Sequence, residues 1–203
     1  MPPRKRFSAD KILDAAFELT CKQGIDNVTA RLVANTLGCS TGPIFSHFAS
    51  MDDLHEQLMD RIIARFVTTA SSVEHHDPLI GAGVGWLRFA SEEPQLYQAV
   101  FLRPHRWHHK WGPVRRQMAT RMERHPRYAH LDAKERFALV GRASIVMHGL
   151  GVEIWSGRLP HANLELLVEQ LALPVVQAAL QQGWTQDLHS RQTPSQQRDL
   201  SAS

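Results

Sequence analysis

Apolar residues recur at three- and four-residue spacing along nearly all of this 203-residue chain, and glycine or proline separates the segments. Strand-like alternation bounded by Asn-Gly or Asp-Gly turns is missing. The pattern therefore reads as all-α. With 43% hydrophobic residues, the chain can bury one core, or a small and a medium domain packed together.

Local signals place the first helices closely. Ser8 is the expected N-cap of a helix carrying Ile12, Leu13, Ala16, Phe17 and Leu19 and stopping at Gly24. A short second helix is expected from Thr29 through Leu32, Val33 and Leu37 to Gly38. Ser40 is expected to cap a third, with Pro43 in its first turn, where a missing N–H does no harm. Met51-Asp52-Asp53 opens a longer fourth helix, its carboxylates near the positive end. Farther on, Asp77-Pro78, Glu93-Pro94, Arg103-Pro104, Gly112-Pro113 and His125-Pro126 break the chain into shorter helices. Two longer helical patterns follow, near 132–155 and 162–182, and Pro174 must kink or interrupt the second. The polar end, residues 189–203, reads as a disordered tail.

Two short helices joined by a tight glycine turn, the second capped by a hydroxyl residue, are the sequence form of a helix-turn-helix. Gly38 supplies the left-handed turn, Cys39 a small apolar position beneath it, and Gly42 a place where backbone can approach a groove or phosphate. The candidate DNA contacts are Thr29, Arg31, Ser40, Thr41, Gly42, Pro43, Phe45, Ser46 and His47, with Arg4, Lys5 and Arg6 in a basic arm. Each has a plainer reading: Thr29 and Ser40 as caps, Phe45 as a packing residue, the arm as a solvated terminus.

The stretch ILDAAFELTCKQGIDNVTARLVANTLGCSTGPIFSHFASMDDL resembles the N-terminal domain of the TetR family of bacterial transcription regulators. The matching features include Gly24, Val28-Thr29, Ala34, Gly38, Ser40, Gly42, Phe45, His47-Phe48 and Leu54. The resemblance implies a three-helix DNA-binding domain over residues 1–50, followed at 51–188 by a larger helical domain for ligand binding and dimerisation. It implies a homodimer reading a palindromic operator, a small partly apolar effector, and repression released by that effector. The family commonly carries lysine, tyrosine and lysine where Thr41, Phe45 and Met51 stand. Fewer phosphate anchors than usual are therefore expected.

Beyond that motif, Leu139, Ala143, Val146, Met147, Leu150 and Ile154 form one helical stripe and Leu164, Leu167, Leu171 and Val175 another. Periodicity alone fits an internal core as well as a dimer seam. Trp86, Phe89, Tyr97, Phe101, Trp107, Trp111, Met118, Met147 and His148 are candidate cavity-lining residues, although aromatic stripes also serve as plain core. Residues 103–128 carry eight Lys/Arg against one carboxylate, Glu123. Solvated basic surface is the favoured reading of this segment, ahead of an anion site, with metal binding by His105, His108 and His109 last.

Neither a catalytic nor a cofactor motif is present: there is no phosphate-binding glycine loop, nucleophile elbow or HExxH pair. Cys21 and Cys39 lack zinc-finger spacing. No apolar run of membrane-spanning length is apparent, and a cytoplasmic, non-membrane protein is expected. The alternatives to a DNA-binding regulator are a histidine-rich metal or anion sensor, and a partner-binding protein whose DNA function has decayed.

Overall fold

A computed structural model describes residues 7–103, 107–159 and 163–181. Among them are ten α-helices and no strand. The first four are α1 (Ala9–Gln23), α2 (Ala30–Leu37), α3 (Gly42–Phe45) and α4 (Met51–Ser71). After them come α5 (Pro78–Glu92), α6 (Pro94–Phe101), α7 (Trp111–Met122) and α8 (Ala133–Trp155). The last helical stretch is divided into α9 (Leu164–Leu167), a π-helical turn (Val168–Ala172) and α10 (Leu173–Gln181).

The predicted starts of α1, α2 and α4 are made by side-chain caps. The Ser8 hydroxyl accepts from the Lys11 amide, Thr29 from Leu32, and Ser50 from Asp53. Gly24 and Gly38 end α1 and α2 at φ 82° and 64°, where a side chain would be strained. Gly112-Pro113 does not interrupt: both residues sit in the first turn of α7, where the missing N–H costs nothing. Pro174 ends no helix either. The π turn directly before it widens the backbone, so the proline is absorbed one residue into α10.

One apolar cluster runs from α1 through α4 into α5, α6 and α8, with Ile12, Ile44, Leu54, Leu58, Ile62, Leu87 and Tyr97 fully buried. A second, around Met122, Tyr128, Leu139 and Val176, joins α7, α8 and α10. Gly85 lets α5 cross α4 closely; a Cβ there would lie 2.5 Å from Ala70 Cα. Gly151 does the same for the buried Tyr97 ring, whose hydroxyl donates to His148 O at 3.3 Å. Helix α8 corrects one expectation: by length and composition it could cross a membrane. Here it packs against α5 and α7, with Arg136 nearly buried and donating to Leu131 O.

Candidate DNA-contacting face and ligand cavity

The turn between α2 and α3 closes through Gly38, whose N–H reaches Asn35 O (3.1 Å), and Cys39, whose N–H reaches Ala34 O (2.9 Å). Helix α3 has only four residues, and buried Ile44 and Phe48 pin its inner side. Ser40 does not cap it. Thr41 is the N-cap residue, already in right-handed helical conformation and without a side-chain capping bond, because Gly42-Pro43 start the turn unaided.

Thr29, Arg31, Ser40, Thr41, Gly42 and Ser46 are all exposed on this face, and Pro43 is half-buried. Phe45 is 49% exposed, unusual for a residue whose plainer reading was packing. His47 serves a neighbour: its Nε2–H donates to Phe7 O at 2.8 Å and so ties the chain entering α1 to the end of α3. Arg4, Lys5 and Arg6 lie outside the described residues.

Helix α4 links this face to the other half. Near its start, Asp53 accepts from the Ala49 amide at 3.0 Å and from Gln57 at 3.0 Å, which holds its carboxyl below the ordinary range. In its middle, Arg61 pairs with Asp10 (2.7 Å) and Asp14 of α1. Arg65 reaches Glu93, at the α5–α6 junction, at 2.6 Å. Its last turns, Phe66, Val67, Ala70 and Ser71, line a cavity.

The basic segment is only in part the solvated surface expected: Arg116, Arg121 and Arg124 are exposed, but others pair inward. Lys110, with only 14% of its side chain exposed, pairs with Glu56 (2.8 Å) and Asp60 (2.6 Å) of α4. Burial pulls its ammonium down, but the two carboxylates outweigh that and hold its pKa above the ordinary value. The Lys110 bond in turn lowers Glu56, which also accepts from Trp107 Nε1 at 2.7 Å. Arg103 pairs with Asp26, Arg121 donates to Ser71 Oγ (2.7 Å), and Arg127 meets Asp77 at 2.5 Å. The counter-charges come from elements far away in sequence, which a search for carboxylates near residues 103–128 could not find. His105 lies outside the described residues, as does the His108 side chain; His109 stands 3.4 Å from Glu56.

The cavity holds about 620 Å³, the size of a small-molecule site. Phe66 is its aromatic hub, with Trp86, Phe101 and Trp111 edge-on at 5.0, 5.2 and 5.6 Å, and Trp86 stacked on Phe101 at 4.5 Å. Of the residues expected there, Trp86, Phe101, Trp111, Met118, Met147 and His148 line it. The other three do not. Phe89 is fully buried behind Phe66, Tyr97 is packed on Gly151, and Trp107 points to Glu56. Burial pushes the Tyr97 phenol up to about 12. The lining missed from sequence includes Phe66, Ser71, Arg115, Gln117, Arg121 and Ser144. Only tertiary packing brings these helices around one space. The polar groups gather on α7 and α8, and the Arg115 guanidinium lies 5.1 Å over the Phe137 ring.

The short α3, held in the α1–α2 core by Ile44 and Phe48, is a feature this chain shares with known proteins. Residues 12–58 match the family model described as bacterial regulatory proteins, tetR family. Over that stretch the chain is similar to the N-terminal part of TetR-family regulators. The tetracycline repressor protein class D of Escherichia coli is 30% identical over 99 residues, covering 48% of this chain and 41% of that repressor. A repressor of Mycobacterium tuberculosis is 30% identical over 74 residues, 36% of this chain and 28% of its own length. The matched stretch thus spans less than half the length of these relatives. Solved structures extend the likeness of fold. A putative TetR-family regulator from Vibrio parahaemolyticus gives a TM-score of 0.58 at 18% identity, over 84% of this chain and 97% of that one. SmeT, the repressor of a Stenotrophomonas maltophilia multidrug efflux pump, gives 0.56 at 20% identity, over 86% and 91%.

Proposed function

We propose that this chain is a dimeric, sequence-specific transcriptional regulator, a repressor that a small, partly apolar ligand releases from DNA. The carrying observation is the path of α4: one helix packs on α1 beneath the helix-turn-helix and ends in the wall of an aromatic cavity. A ligand that fits the cavity better in one setting of α4 biases the tilt of the DNA-contacting face by its differential affinity for the two settings. The domain division follows: residues 1–50 read DNA, and 51–188 bind the ligand and the second copy. The repressor names of the sequence relatives support the sign of the response. Among the site residues, Thr41, Gly42, Phe45 and Ser46 meet the major groove, and Thr29 and Arg31 the flanking backbone. Chemistry is not part of this reading.

Support for a homodimer comes from apolar side chains left uncovered in the monomer. Ile145 on α8 is 61% exposed, Leu171 in the π turn 49% and Val175 on α10 47%. Gly149, one turn after Ile145, has open space above it. Helix faces of this kind are stable in water when a second surface covers them, and a two-fold pairing sets two α3 helices to read a palindrome.

The test is selection of the purified protein against a random duplex library, then binding of the enriched sequence across a salt series. A palindrome with a modest salt slope is expected, since lysine is absent at positions 41 and 51. Weak, steeply salt-dependent binding without a preferred sequence would instead support a protein whose DNA function has decayed.

A further inference from the structure

The connection between α4 and α5, residues 72–77, folds back against the last helices, away from the DNA-contacting face. Two features fix it there. Asp77 caps α5, accepting from the Leu79 and Ile80 amides at 2.9 and 3.4 Å. Gly81 leaves space for the returning loop; a Cβ there would lie 3.0 Å from Val73 O and 3.1 Å from His75 Cβ. The loop thereby buries His75, whose side chain is only 9% exposed.

The two ring nitrogens of His75 have different surroundings. Nδ1 accepts from the Asp77 backbone N–H at 2.9 Å and lies 3.1 Å from the Asp77 carbonyl oxygen. Nε2 faces the C-terminal helices, where Glu165 Oε1 stands at 3.6 Å, beyond hydrogen-bonding distance. Glu169, one turn later in the π segment, brings a second carboxylate, and the three donor atoms lie within 4.8 Å of one another. With Nδ1 accepting from the Asp77 amide, the neutral ring carries its proton on Nε2, facing the carboxylates; a cation binding there displaces that proton, and the ring's remaining proton on Nδ1 then points to the Asp77 carbonyl 3.1 Å away. A backbone carbonyl holding the far nitrogen is the usual orientation of a metal-ligating histidine. At metal–ligand distances near 2.0–2.1 Å, tetrahedral donors stand about 3.3–3.4 Å apart, so the 3.6 Å between His75 and Glu165 needs little adjustment, and a rotamer change of the exposed Glu169 closes the rest of the set, now within 4.8 Å.

We propose that His75 Nε2, Glu165 and Glu169 form a binding site for a divalent cation of zinc type, with water completing its coordination. One nitrogen and two carboxylate oxygens suit a borderline ion. The cation neutralises two carboxylates drawn toward one point. It also ties the α4–α5 loop to the last helices across a cavity wall to which Ile80, Gly83, Val168 and Ala172 contribute, so occupancy stiffens that wall. None of this depends on DNA binding, and its failure would leave the proposed function intact.

The test uses the full chain, stripped with chelator and dialysed, then titrated with Zn²⁺ in competition with a chromophoric chelator. The exposed pair Glu165→Gln/Glu169→Gln carries the test, because neither side chain supports the core; His75→Gln is the second variant. One zinc equivalent is expected in the unaltered protein. The double variant should bind at least as much more weakly as the roughly 10–100-fold seen for loss of an outer-shell partner, with an unchanged metal-free Tm. Zinc should raise the Tm of the unaltered protein and not that of the double variant. The proposal falls if the unaltered protein does not compete for zinc. It falls equally if the double variant binds as tightly, since zinc then sits on others of the twelve histidines.

Discussion

Replacing Asp77 by alanine should be among the most damaging single changes available to this chain. Its carboxylate is fully buried at the start of α5. It accepts from two α5 amides, from the buried Tyr128 hydroxyl at 2.9 and 3.0 Å, and from Arg127 at 2.5 Å. Alanine removes the cap, worth roughly 0.5–2 kcal/mol. It also leaves the Tyr128 hydroxyl unsatisfied, a further ~1–3 kcal/mol. Arg127, a third exposed, recovers part of its loss by turning to water. The total should come to roughly 1.5–5 kcal/mol. Asn at the same site keeps an oxygen for the cap and for one donor and gives up mainly the charge, so it should cost about half as much. Urea unfolding of the three proteins, followed by helical circular dichroism, measures both differences. A loss below about 1 kcal/mol for Asp77→Ala would refute the reasoning, as would equal losses for Asn and Ala, since the buried bonds would then contribute nothing beyond shape.

Gly42→Leu should abolish operator binding while leaving the Tm within a degree or two, because a Cβ at Gly42 meets only Ser40 Oγ at 3.7 Å and the site is exposed; a variant that still binds its selected duplex would move the DNA to another surface. Leu171→Glu/Val175→Glu should give a monomer in sedimentation velocity with its helicity kept, as both side chains are about half exposed in the single chain; an unchanged dimer would place the seam elsewhere. Tyr97 should make the protein sensitive to alkali. Its folded pKa, pushed up to about 12, exceeds the ordinary value of 10.0, so the unfolded chain releases that proton first and stability falls as pH rises from 10 toward 12. Tm against pH should therefore drop less steeply in Tyr97→Phe, and parallel curves would exclude this phenol as the cause.

How far the sequence carries depends on the distance over which each signal acts. The ends of α1 and α2 were legible because Ser8, Thr29, Gly24 and Gly38 act within three or four residues of themselves. Ser40 was misleading for the same reason. The hydroxyl is in the right place for a cap, yet Thr41 is already helical and no capping bond forms. The aromatic residues of α5 to α7 announced an apolar space, but not which rings face it; Phe89 and Tyr97 share the spacing of Trp86 and Phe101 and lie one layer deeper. His75 and Glu165 stand ninety positions apart, and the only local hint of their meeting is the four-residue spacing from Glu165 to Glu169.

The basic segment gives the deepest reason for such misses. Read alone, eight cations within 26 residues look like solvated surface, ahead of an anion site. The fold supplies anions from the other side of the sequence: Glu56 and Asp60 for Lys110, Asp26 for Arg103, Asp77 for Arg127. Three of these four carboxylates belong to α4 or to the turn under the helix-turn-helix. The pairs thus fasten the cavity's outer helices to the elements that hold the DNA-contacting face. Charge that would be idle as solvated surface becomes a mechanical link, and its exposed members contribute little stability each. Their value lies in registry. If the cavity moves when a ligand enters, α4 and the Asp26 turn must move with it, and removing Glu56 and Asp60 together should weaken the response of DNA binding to ligand far more than it weakens DNA binding itself.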